Sequence, residues 1–171
     1  ISGSLAVTNP NYNYSGNEVS GSLDVSSSDK TTNSGYKSSK TGLSMGTKFE
    51  QYQDIFLAPN LSFSYEDIEA ESTASAQMKK MEGDFTNVDF LYSVILDKRN
   101  QPFQPTKGYR TKFIQSLPLV WDTSSIMNGF DISAYRDFSE DIIGSLKFYV
   151  SSIHGIDEDV RLTNRLFMPS K

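Results

Sequence analysis

The chain of 171 residues is long enough for one domain, with room for a small second one, and carries a net charge of −5, which argues against the basic face a nucleic-acid binder needs. Cysteine is absent, which excludes disulfide staples and thiolate metal sites, and no run nears the roughly 18 apolar residues of a membrane-spanning helix. Hydrophobic residues are 37%, low for a filled soluble core, while 12% aromatics are too many for a disordered tail.

Alternation with period two runs along the chain. In 1–8, Ile1, Gly3, Leu5 and Val7 share one face against Ser2, Ser4 and Thr8. Residues 9–16 read as a turn opened by Asn9 and Pro10. In 18–26, Val19, Gly21, Leu23 and Val25 oppose Ser20, Ser22 and Asp24, and a Ser/Thr/Asn/Gly loop over 27–38 follows. Leu43, Met45 and Phe49 alternate with Ser44 and Lys48 in 40–49, with a tight link at 50–54. Leu57, Leu61, Phe63 and Tyr65 do so in 55–66, ahead of a long polar loop at 67–84. Within that loop Glu71 to Met81 lacks Gly and Pro except for its flanks, so a short helical turn is available, although a solvated loop is the simpler reading.

The second half repeats the pattern. Val88, Phe90, Tyr92, Val94 and Leu96 alternate with Asp89 and Ser93 in 87–97, and a Pro-rich turn covers 98–107. Tyr109, Phe113, Leu117 and Leu119 oppose Arg110, Lys112 and Ser116 in 109–119, before a medium loop at 121–127. Phe130, Ile132 and Ala134 mark 129–136, then a tight turn at 139–141. Ile142, Leu146, Phe148 and Val150 mark 142–151, then an acidic loop at 154–159 and a weaker ninth candidate at 160–168.

Successive side chains of a strand point to opposite faces, so each segment has one apolar and one polar face. In a soluble sandwich the apolar faces of two sheets pack together. In a membrane barrel they meet lipid, and the polar face lines a wet interior. Two features favour the barrel. Alternation is sustained for about 9–12 residues, the span a tilted strand needs to cross a bilayer. The links run short, long, short, long, as periplasmic turns and outer loops do. Lys48, Lys112 and Lys147 fall opposite the aliphatic positions and point inward in that register. Arg136 shares parity with Ile132 and Ala134, but at a strand end where snorkelling is cheap.

Three stretches carry a family resemblance. LAVTNPNYNYSG (5–16) resembles a strand-turn element of the BamA-type outer-membrane β-barrel assembly factors, in the bacterial surface antigen superfamily. TGLSMGTKFEQYQDIFLAPNLSFSYEDI (41–68) is similar to the hairpin that follows there, and LDKRNQPFQPTKGYR (96–110) to the family's most recognisable turn. The matching turn positions are Asp97, Arg99, Pro102, Pro105, Thr106 and Gly108, with Asn9 and Pro10 in the first stretch. Their local role follows from chemistry alone: the prolines end the ladder, and Gly108 supplies a conformation other residues resist.

The resemblance implies an all-β fold, an antiparallel up-and-down meander of about eight or nine strands, part of a 16-stranded transmembrane β-barrel in the bacterial outer membrane. Residues 1–171 are then expected to be a partial barrel, a piece of a longer protein, without the family's periplasmic repeat domains and incomplete at both ends. The first and last strands and the inward-loop Val/Leu-Arg-Gly-Phe motif would fall outside this sequence. An open sheet leaves unpaired edges, so the piece alone is expected to aggregate. The implied function is folding and inserting β-barrel proteins, without cofactor or catalysis. Implied partners are outer-membrane lipid, unfolded outer-membrane protein clients and assembly-complex lipoproteins, with no nucleic acid and no small-molecule substrate. The rivals are a superfamily transporter for two-partner secretion or autotransporter assembly, a passive porin, and a soluble sandwich.

Enzyme chemistry finds little support. His154 stands in an expected loop near Asp157, Glu158 and Asp159, but no second His or Cys completes a metal shell. The acidic run at 66–71 lacks Gly-punctuated calcium spacing. No Gly-x-Ser-x-Gly elbow or phosphate loop occurs, and Glu140 with Asp141 fits a solvated turn.

Overall fold

The computed structural model describes residues 1–72, 74–80, 82–121, 125–139 and 141–156. These form one antiparallel sheet whose eight strands lie side by side in chain order. The strands are β1 (Ser2–Tyr12), β2 (Asn17–Lys30), β3 (Tyr36–Tyr52), β4 (Ile55–Ala70), β5 (Gly83–Asp97), β6 (Gly108–Trp121), β7 (Ser125–Ser139) and β8 (Ile142–Gly155). Two single helical turns, α1 (Thr31–Ser34) and α2 (Ala76–Lys79), interrupt the meander. The expected ninth strand at 160–168, the acidic residues 157–159 and Glu140 lie outside the described residues.

Several strands outrun the alternation that announced them. The expected loop at 27–38 is mostly ladder: Ser27 pairs with Ser39, Ser28 with Ser38, and Asp29 with Lys37. Only 31–35 leaves the sheet. Backbone pairing needs no apolar side chain, and cross-strand hydroxyls and an opposite-charge pair stabilise a ladder as well. Likewise 67–84 shrinks to 71–82, because Asp67 pairs with Asp84 and Ile68 with Gly83. His154 is a strand residue opposite Ile126, not a loop residue. The run Glu66–Asp67 is also in strand, so those two carboxylates point to opposite faces and cannot share an ion.

Turn length does not separate the two ends of the sheet in the way expected. The 98–107 link stands at the same end as the two-residue link 53–54, while 31–35 at the other end is short. What distinguishes the second end is that both helical turns are there. There Glu71 N donates to Gly35 O at 2.8 Å, and Ala74 packs on Tyr36 and Ile68. Ile68, 1% exposed, is the centre of this small buried cluster, which Ala70 and Phe85 flank. The described residues place no second layer over the sheet, so Leu5 stays 66% exposed and Leu43 43%.

Candidate functional site

Ladder partners in an antiparallel pair project from the same face, so register shows what each face presents. Leu5, Leu23, Leu43, Phe63 and Val88 are successive partners across five strands. Leu57, Val94, Phe113, Phe130 and Val150 form a second such row from β4 to β8. Both rows lie on one face and are aliphatic and aromatic, and most of their side chains are exposed.

The other face carries rows of hydroxyl and charged side chains, with a few apolar ones such as Leu91 and the buried Ile95 among them. Ser22, Ser44, Ser62 and Asp89 are successive partners, as are Ser26, Lys40 and Glu66. Ser22 Oγ donates to Asp24 Oδ2 at 3.0 Å and lies 2.9 Å from Ser44 Oγ. Asp24, Lys40, Ser62, Asp89 and Ser116 border one hollow of about 250 Å³. Residues of five strands meet there, so this face curls inward and crowds its side chains. Ser64, Glu66 and Ser93 are buried as a result. The register also sets Lys48, Lys112 and Lys147 on this face. Lys48 Nζ stands 5.2 Å over the Phe56 ring, and Arg110 reaches Asp131 at 3.7 Å.

The 97–108 turn is a closed hydrogen-bonded unit beyond Leu96, the last outward apolar residue of β5. Arg99 donates through Nε and Nη2 to the two oxygens of Asp97 at 2.8 and 2.6 Å, and through Nη1 to Pro102 O at 3.3 Å. The Arg99 guanidinium holds the Asp97 carboxyl below its ordinary pKa and is itself raised by that bond. Asn100, which sequence reasoning passed over, is the hub. Its Oδ1 accepts from Thr106 N and Lys107 N, both at 3.1 Å, and its Nδ2 donates to Thr106 Oγ1 at 2.9 Å. An Asn between two strands can cap neighbouring backbone donors, and that was the available signal. Pro105 follows Gln104, which takes φ +46°, and Gly108 takes φ +92°. Asp97 N donates to Asp54 O at 2.9 Å, tying this turn to the β3–β4 turn.

Asn9 and Pro10 sit elsewhere and not in a turn. Both belong to β1: Asn9 pairs with Val19, and the ladder slips between Asn9 and Tyr12. The chain reverses at Asn13 and Tyr14, both with positive φ, and Gly16 N donates to Asn11 Oδ1 at 2.7 Å. Pro10 has no N–H for the ladder and sits where its register shifts, so the strand continues past it as a bulge.

Sequence reasoning also missed a polar line on the apolar face. Tyr92, Gln115 and Asn128 are ladder partners; Tyr92 Oη donates to Gln115 Oε1 at 2.8 Å, and Gln115 Nε2 to Asn128 Oδ1 at 2.6 Å. Among the described residues no cluster of three or more His, Asp or Glu side chains is placed to hold a metal.

A curled antiparallel meander, apolar on one face and hydroxylic with charges on the other, is the wall of a membrane β-barrel. The Omp85 superfamily domain matches residues 1–168, and the chain belongs to this superfamily of outer-membrane β-barrel proteins. Among solved structures it is similar to the crystal structure of BamA from Haemophilus ducreyi lacking POTRA domains 1–3, with TM-score 0.71 and 14% identity. That match covers 91% of this chain and 33% of the other, so the chain spans about a third of that BamA chain. No curated protein matches it.

Proposed function

We propose that residues 1–171 are a contiguous part of a larger barrel whose parent folds and inserts β-barrel proteins into the bacterial outer membrane. The observation that carries this reading is the Omp85 match along nearly the whole chain. The likeness to part of BamA and the motif-bearing 97–108 turn add support. β1 and β8 have a ladder neighbour on one side only among the described residues, and in hydrocarbon each unpaired backbone group costs several kcal/mol. Further strands of the parent close both edges. The parent acts without cofactor or covalent chemistry; its partners are outer-membrane lipid, unfolded barrel clients and assembly lipoproteins.

The test is depletion of the full-length protein in its own cells. Falling levels of many unrelated outer-membrane barrels are expected. Loss of one exported protein alone would move the assignment to a superfamily transporter. Normal barrel levels, with ion conductance in planar bilayers, would leave a passive porin.

A further inference from the structure

We propose a binding site for one membrane glycerophospholipid on the apolar face at the turn end of β6–β8, with Arg136 as its phosphate ligand; this rests on the barrel reading. A hollow of about 540 Å³ lies there, bordered by Tyr109, Ala134, Arg136, Phe138, Gly144 and Leu146. Tyr109, Ala134 and Leu146 are successive ladder partners, and Arg136 pairs with Gly144, so the hollow crosses three strands. Its floor is small because Ala134 and Gly144 contribute almost no side chain. Its walls are the exposed side chains of Phe138 and Leu146 and the phenol of Tyr109.

The charge at the rim selects the occupant. Asp137, the neighbouring anion, is engaged by Lys107 at 2.8 Å. Arg136 has no ion-pair partner among the described residues. A cation on a strand end beside an apolar trough presents two chemistries in one line. The planar guanidinium suits a phosphate diester bidentately, and the trough suits an acyl chain. Tyr109 stands where an amphipathic ring favours the headgroup level. A free inorganic phosphate would use only the first of these features, and a detergent tail only the second.

The experiment uses the full-length protein, extracted in mild detergent, washed, and weighed with its bound lipid by native mass spectrometry. Heat-modifiable migration checks folding. Wild type is expected to retain one phospholipid. R136Q should retain it about fivefold less, the effect of one surface cation on an anionic lipid, and R136K should recover most of it. A134F fills the floor and should also lose the lipid with Arg136 intact. G144A, which displaces the Phe138 ring, serves if A134F does not fold. A folded barrel that holds as much lipid in R136Q and in the floor variant as in wild type overturns this inference alone. So does loss in R136Q with none in the floor variant, which would mean a bare phosphate contact. A wild-type protein that never migrates as a folded barrel overturns the barrel reading itself.

Discussion

Gly108 presses against the carbonyl of Lys98 so closely that a Cβ at residue 108 would overlap it. Its φ of +92° adds a second reason for glycine. Gly108→Ala should therefore cost about 1–3 kcal/mol from backbone strain alone, with the overlap added. The urea midpoint of the full-length barrel in detergent should fall, while Gly3→Ala, which has open space around it, leaves it unchanged.

Removal of Arg99 strands the Asp97 carboxylate, whose side chain is 24% exposed. Arg99→Ala should cost about 1.5–3 kcal/mol, the range for hydrogen bonds to charged groups. The pH dependence has a definite sign. The folded Asp97 pKa lies below the unfolded value of about 3.9, so the pair stabilises the turn above that value and is lost as pH falls through the folded one. The gap between wild type and Arg99→Ala should be full at pH 7 and shrink below about pH 4. A gap that widens in acid would contradict this account.

The two faces predict opposite tolerances. Leu43→Arg puts a charge in the middle of the row Leu5, Leu23, Leu43, Phe63 and should cost about 2–4 kcal/mol in a bilayer. Ser44→Arg, one residue on, points to the wet face and should insert normally. Equal insertion of both into liposomes would remove the lipid-facing assignment.

Alternation made the sheet and its two faces legible, because period two is written in side-chain polarity. Strand ends were not legible. Ser27, Ser28 and Asp29 pair with Ser39, Ser38 and Lys37 through backbone, and that pairing leaves no apolar trace. Asn9 and Pro10 looked like a turn because those residue types favour one, yet the ladder carried the chain three residues further. Within 97–108 the residue types pointed to a turn, but the central role of Asn100 depends on where its amide aims. Gln115 and Asn128 broke the apolar pattern locally, and only the register showed that they satisfy each other.

That line of amides gives a further prediction. Gln115→Leu leaves Tyr92 Oη and Asn128 without their partner on the apolar face, at about 1–3 kcal/mol. Replacing Gln115 and Asn128 together should cost less than the two single changes added. A double-mutant cycle on unfolding midpoints measures the coupling; strict additivity would mean that the residues act independently.

Every strand of the sheet is bonded to the strand that precedes or follows it in the chain, and to no other among the described residues. Ordering can thus spread like a zip, hairpin by hairpin, with each closure spanning a short stretch and carrying little loop entropy. Where the Asp97 amide bonds to the Asp54 carbonyl, two adjacent reversals are clasped together. Growth that starts at this clasp has a ready template on both sides.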